Sequence, residues 1–381
     1  MNFHPRPHRR WLFWILLVFL LAGCQSLPPV KIGFAGDLSG READLGISAR
    51  NGAVLASEAI NKSGGIGGHA VQIITMDDQG LPAAAKDVDN KLIDAGVVGI
   101  IGHITSEQTL AGLSITQARG VVMLSPTTNT SQLTGQRDLF FRVVGDDSQE
   151  ARSLALHIWK ERAIQSLAIL YDSDNAAYSE GYSQFFKGQY TALGGRVTEI
   201  QSFPGASQTD FKSVLAELKT GSPAGLLIIG SGLKSALVAQ NARLIGWDVP
   251  LFITNWAYSD AFLAYGGREI EGTELVTGFN MDSQLPAILD FRRRYQAEFG
   301  LAPDFAAAQG YEAMLVLSAA LQKTAASSTG LPQALLSIQK YNGLIGPLSF
   351  DAYGDIQRPV YLVQVKNGRF VTQSSLPVAI P

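Results

Sequence analysis

The sequence predicts an α/β protein built as two doubly wound parallel-sheet lobes joined by a three-segment hinge, with a ligand cleft between them. Two observations lead to the lobes. Brief β-rich runs alternate with longer segments of helical spacing along nearly the whole chain. The strand runs are close to continuously apolar, as strands buried on both faces of a parallel sheet are. Roughly ten such strands exceed what one compact doubly wound domain holds, so two lobes fit better. The hinge and the interlobe cleft rest on a resemblance set out below.

The chain opens with His4, Arg6, His8, Arg9 and Arg10, continues through an apolar run from Trp11 to Leu21, and reaches Leu21-Ala22-Gly23-Cys24. A basic start, a short apolar core and small residues before a cut make a secretory signal. The core is about half the ~20 residues that span a bilayer. The last four residues resemble the lipobox of bacterial lipoproteins. That resemblance implies a signal peptide over 1–23, a lipidated Cys24 and a linker over 24–29. Cys24 is the single cysteine, so no internal disulfide forms, and lipidation accounts for an otherwise unpaired thiol. Acyl chains there contribute ~0.8 kcal/mol per buried methylene, and two chains anchor stably. The expected location is extracytoplasmic, in the periplasm or at the cell surface, tethered to a bacterial membrane. Gln25 leaves the choice of membrane open.

Strands are expected at Val30–Leu38, Val71–Met76, Val97–Gly102, Val121–Ser125, Leu139–Val144, Ser166–Tyr171, Val197–Phe203, Gly225–Gly230, Leu251–Thr254 and Glu274–Gly278. Helices are expected between them, at Ala43–Asn61, Ala83–Ala95, Glu107–Ala118, Ser148–Trp159, Ser179–Leu193, Asp210–Leu218 and Lys234–Ile245, then at Pro286–Phe299 and Ala306–Thr324. Near the end, Asn367-Gly368 between two β-type runs predicts a hairpin. Hydrophobic residues make up 46% of the sequence, enough for packed cores. The formal charge is −3, and removing the signal takes away three arginines and no acid. A nucleic-acid binder would instead show a basic footprint.

Ligands of open α/β sheets bind beyond the carboxyl ends of strands, near helix N-termini. Four strand ends carry suitable polar residues: His103 to Ser106, Ser125 to Thr130, Asp172 to Ser179, and Thr254 to Tyr258. Hydroxyls and free backbone amides there suit a small carboxylate. Taken singly, each group reads as a plain helix cap; four of them in a chain with this export signal shift the balance toward binding. Gly64, Gly65, Gly67 and Gly68 look like a phosphate cradle but follow a helix and lack a Lys-Ser/Thr pair, so a turn is expected.

The ordered segments "GFAGDLSGREADLGISARNG", "INKSGGIGG", "VVGIIGHITSEQT", "VVMLSPTTNTSQLT", "FFRVVGDDSQ" and "LIGPLSFDAYGD" resemble the type I periplasmic binding proteins of the leucine/isoleucine/valine-binding family. These are substrate receptors of ABC importers. The resemblance runs from Val30 to about Val371. It implies three hinge crossings, near Val144–Asp147, Thr277–Phe279 and Phe350–Asp355, with lobe 1 at 30–145 plus 279–351 and lobe 2 at 146–278 plus 352–381. It implies ligand contacts from Leu45, Ser106, Thr127, Thr128 and Asn129 of the first lobe and Tyr178 of the second. The acid that pairs with a ligand ammonium in relatives aligns with Trp256. A second cleft aromatic aligns with Ser231 or Gly232, and a pocket-wall aromatic with Ala306, or with Phe305 after a one-residue slip.

A buried ammonium without a carboxylate costs several kcal/mol. A neutral amide, a carboxylate without an amine, an aromatic acid stacked on Trp256 and Tyr178, and a cation over the Trp256 face all stay open, as does Trp256 as plain packing. So does replacement of the acid by Asp44, Asp172, Asp174 or Asp260. The implied partners are a small solute and an ABC permease, with membrane contact through the lipid, no nucleic acid, and a monomeric state. No cofactor or metal is expected: His69, His103 and His157 lack metal-ligand spacing, and there is no G-x-S-x-G elbow. Catalysis is not expected. The competing expectation is an envelope lipoprotein that uses the fold for sensing or protein contact, with a degenerate cleft.

Overall fold

The computed structural model describes residues 27–207 and 210–376; the expected signal peptide and the Cys24 lipidation site lie outside the described residues. The first sheet contains β1 (Val30–Gly36), β2 (Val71–Asp77), β3 (Ile100–Ile101), β4 (Met123–Ser125) and β5 (Phe140–Arg142), all parallel, in the order β2-β1-β3-β4-β5. Helices α1 (Ala43–Lys62), α2 (Pro82–Asp94) and α3 (Ser106–Arg119) connect the first four strands. The order reverses beside β1, which opens the crevice where doubly wound sheets bind ligands.

The second sheet follows α4 (Asp147–Lys160). Along the chain come β6 (Ser166–Asp172), α5 (Ala176–Ala192), β7 (Arg196–Phe203), α6 (Lys212–Thr220), β8 (Leu226–Ile229), α7 (Gly232–Leu244), β9 (Leu251–Ile253), α8 (Asp260–Gly266) and β10 (Glu274–Thr277). These strands are parallel, and β6, β8 and β9 are almost wholly buried. The chain then forms α9 (Pro286–Phe299), α10 (Phe305–Lys323), α11 (Leu331–Leu336) and a two-stranded ribbon of β11 (Tyr341–Asn342) and β12 (Pro347–Leu348). It ends in the second sheet, where β13 (Val360–Lys366) pairs antiparallel with both β10 and β14 (Arg369–Leu376). Asn367 and Gly368 turn that hairpin at φ 52° and 68°.

Helix α10 returns to the first sheet because it fits α1 backbone to backbone. A Cβ on Gly52 would lie 1.9 Å from the Ala307 carbonyl oxygen, and one on Gly310 would lie 2.0 Å from that of Ala49. Small residues at both crossing points allow this approach, and the helices then bury Ala49, Ala53, Ala306 and Ala313 completely. The four-glycine segment is a turn, closed by a bridge between Ile66 and His69. Strand β3 is two residues long rather than six. Helices α8 and α11 and the β11–β12 ribbon were not legible in the sequence, because segments of two to seven residues are too short for periodicity to register.

Candidate functional site

The carboxyl ends of the two sheets face each other across a cavity of about 30 Å³. From the first sheet, Thr105 and Ser106 open α3, Thr127 and Asn129 follow β4, and Leu45 lies in the first turn of α1. From the second, Asn175 and Tyr178 flank the start of α5, while Asn255 and Trp256 follow β9. Ile104, preceding α3, and Phe305, the first residue of α10, complete the apolar wall. Of the seven expected contact residues, Leu45, Ser106, Thr127, Asn129, Tyr178 and Trp256 converge here. Thr128 does not line the cavity; its hydroxyl turns into the first lobe, 2.6 Å from that of Thr109. The pocket-wall aromatic is Phe305, not Ala306, and neither Ser231 nor Gly232 lines the cavity.

Several strand-end polar groups are not helix caps. Thr105 holds the N-cap position of α3, Asn175 that of α5 and Thr254 that of the turn after β9, and none of their side chains caps the helix. The Thr105 hydroxyl is buried without a hydrogen bond. So is the Tyr178 hydroxyl: Thr254 is near it but outside hydrogen-bond geometry. Burial raises the Tyr178 hydroxyl well above the usual tyrosine range, so it stays a neutral donor. Trp256 meets the Tyr178 ring edge-on at 5.9 Å.

Charge is concentrated at the mouth of the cleft. The Trp256 Nε1–H donates to Glu42 Oε2 at 3.0 Å, reaching from the second lobe to the first. Arg41 donates through Nε to Glu42 Oε1 at 3.0 Å, and its Nη1 lies 3.3 Å from Asp172 and 2.9 Å from Asp174. Its guanidinium sits 5.8 Å from the Trp256 ring centroid, within cation–π range. Burial lifts Glu42 to about 7, opposed by Arg41 and the indole hydrogen bond. Glu107 adds a second bridge: its Oε1 accepts from the Ala177 amide at 2.8 Å, and its own amide donates to Asn175 Oδ1 at 3.3 Å. Thr130 Oγ1 donates to the Ala177 carbonyl at 2.6 Å.

Beneath the loop that carries Thr105 and Ser106, His103 is fully buried between Asp78 at 2.5 Å and Asp89 at 3.2 Å. Burial alone would lower its pKa, but hydrogen bonds and charge from both aspartates raise it to about 9, so the ring is cationic at neutral pH. Its carbonyl accepts from Ser125 Oγ at 2.8 Å, which ties the α3 loop to the β4 loop. Where α4 meets the segment after β10, Asp147 and Glu150 are buried and, among the described residues, have no cationic partner at hydrogen-bond distance. Glu150 Oε1 accepts from the Gly278 amide at 3.1 Å, while Oε2 makes no hydrogen bond.

Sequence reasoning missed Thr105, Asn175 and Asn255, although all three lie in or beside the strand-end segments it singled out. It also missed Arg41, Glu42 and Glu150, for which a polar loop and an amphipathic helix offered no signal. Among the proposed substitute acids, Asp172 and Asp174 are engaged by Arg41, and Asp44 and Asp260 are exposed. None lines the cavity.

A family profile described as "Periplasmic binding protein" matches residues 29–369. A leucine-, isoleucine-, valine-, threonine- and alanine-binding protein of Pseudomonas aeruginosa is 26% identical over 332 residues, 86% of this chain and 87% of that protein. A leucine-binding protein of Thermotoga maritima superposes with a TM-score of 0.84 at 24% identity, covering 91% of this chain and 98% of that one. A solute-binding protein of an ABC transporter from R. palustris, solved with benzoate, gives 0.82 at 21% identity, covering 91% and 96%. With two parallel-sheet lobes closing on one cavity and a profile spanning nearly all the described chain, this protein belongs to the type I periplasmic binding proteins, in the branched-chain amino acid family of solute-binding proteins.

Proposed function

We propose that the chain is the solute receptor of an ABC importer. It would be exported, held to a membrane through lipid on Cys24, and would bind a small amino acid, amide or carboxylate between its lobes without catalysis. The lobes would divide at 30–145 plus 279–351 and 146–278 plus 352–381. The contacts would come from Leu45, Ser106, Thr127, Asn129, Tyr178 and Trp256. One observation carries this reading: strand-end residues of both sheets converge on one cavity, so a solute held there gains contacts only when the lobes are together and favours the closed population. The names of relatives support the class, since they include binders of branched-chain amino acids and of benzoate.

A ligand at a hundred times its dissociation constant adds ~2.7 kcal/mol of stability, so a thermal-shift screen of amino acids, amides and carboxylates tests the reading. Ser106→Ala and Tyr178→Ala are each expected to weaken binding of the hit by at least ~1 kcal/mol. Unchanged affinity in both would remove the cleft assignment. Mass spectrometry of the mature N-terminus tests the lipid on Cys24.

The second reading, an envelope lipoprotein with a degenerate cleft, has one observation in its favour. The cavity of about 30 Å³ is far smaller than an amino acid, and Arg41, Glu42 and Glu107 join the two lobes directly. Silence across the screen, with no permease or ATPase gene beside this one, would favour it.

A further inference from the structure

We infer that the solute is an anion with an apolar body and no ammonium group; this rests on the solute-receptor reading and narrows it. None of the residues lining the cavity is an acid or a strong base. The carboxylate bonded to Trp256, Glu42, has one oxygen taken by the Arg41 Nε–H and the other by the indole N–H. Glu150 lies beyond Asn129 and Asn255, in a separate pocket of about 20 Å³. An ammonium buried here meets no free carboxylate among the lining residues, at a cost that a zwitterion must bear and a simple acid does not.

The polar groups that face the cavity are neutral and include several donors. The Thr105 and Tyr178 hydroxyls are both more than nine-tenths buried and unpartnered. The Asn175 Oδ1 is occupied by the Glu107 amide, and the Asn255 Oδ1 by the Thr277 hydroxyl at 2.8 Å. Thr277 Oγ1 in turn accepts from the Phe279 amide at 3.2 Å, so its proton is directed at Asn255. With one lone pair of each oxygen engaged, the NH₂ groups are the freer partners these two asparagines offer. Ser106 begins the 14-residue α3, whose first-turn amides add a positive end. Leu45, Ile104, Phe305 and Trp256 supply the apolar wall for the rest of the molecule. At about 30 Å³ the cavity is what remains where these rings meet, so entry requires the lobes to part or the rings to turn.

The test is calorimetric titration of the full chain in detergent with matched pairs that differ in the ammonium alone: 4-methylpentanoate against leucine, and 3-phenylpropanoate against phenylalanine. Isocaproamide, the amide of the first acid, controls for charge. The acids are expected to bind at least tenfold tighter than their amino acids and than the amide. Thr105→Val, which keeps shape and removes one donor, is expected to lower acid affinity about fivefold with an unchanged melting temperature. An amino acid binding as tightly as its matched acid would overturn the inference and leave the receptor reading standing, as would tightest binding of the amide. Binding of no acid, amide or amino acid across the wider screen would overturn both.

Discussion

Two groups of buried ionisable residues flank the cleft, and they solve the same problem in opposite ways. In the first lobe, Asp78 and Asp89 enclose His103, and the three side chains bond one another. In the second, Asp147 and Glu150 are just as buried but have no cation at bonding distance, and three of their four carboxylate oxygens make no hydrogen bond. The paired group keeps its charge: His103 is held up to about 9. The unpaired group gives it up: burial, with like-charge repulsion, pushes Asp147 to about 7 and Glu150 to about 8, against weaker opposition from Ser131, Arg142 and the Gly278 amide. One is a charged brace beneath the Thr105–Ser106 loop. The other is a proton-binding patch where α4 meets the segment after β10. The lesson is that partners, more than depth of burial, set the charge of a buried group.

The sharpest way to break the comparison is His103→Ala. It strands two buried aspartates, and the expected loss of stability is ~3–5 kcal/mol, read by chemical denaturation. A loss below ~1 kcal/mol would mean the pair is no brace. Next comes Glu150→Gln. A carboxyl whose folded value is raised keeps its proton in the native state, so its contribution declines as pH climbs from the unfolded value toward about 8. At pH 9 the amide variant should be more stable than the parent by on the order of 5 kcal/mol, and near pH 4 the two should be close. His103 shifts the other kind of group in the same stability direction. Its contribution is complete below about 6.5 and is lost as pH rises through about 9. Melting temperature should therefore fall as pH rises toward about 9, and Glu150→Gln should make the fall below about 8 shallower, Asp147 and Glu42 supplying the rest, while leaving the His103 part in place.

Smaller effects are expected at the mouth of the cleft. Arg41 is a quarter exposed and Asp174 a third, so Arg41→Ala should shift lobe closure by about 1 kcal/mol, less at high salt. Small-angle scattering of the two proteins without solute would show the variant more open; identical curves would mean the contacts do not hold the lobes. Trp256→Phe keeps the ring against Tyr178 and removes the bond to Glu42. It should weaken closure by no more than about 1 kcal/mol in the same experiment.

Much of this was legible in the residues. Apolar runs such as Ile169–Leu170 and Leu226–Ile229 announce strands buried on both faces, because a parallel sheet covered by helices needs nothing else. The segments that hold Ser106, Thr127 and Asn129 could be found because polar residues just past such runs sit on the binding edge of the sheet; the residues themselves followed only from the family resemblance. Thr128 could not be separated from Thr127, since loop conformation decides which neighbour faces the cleft. Arg41 and Glu42 read as a solvated loop, and Glu150 as the polar face of a helix.

The sequence by itself therefore determined the alternation of strands and helices, the two-lobe class and the edge on which a ligand would sit, all of which follow from local hydrophobic period and turn chemistry. The tertiary structure alone decided which charges are buried and who neutralises them: Arg41 with Asp172, 131 residues apart, and Trp256 with Glu42, 214 apart. The reason is physical. Hydrophobic period is a property of neighbouring residues, whereas the dielectric environment and partner of a charge belong to whatever the fold carries to it from elsewhere in the chain.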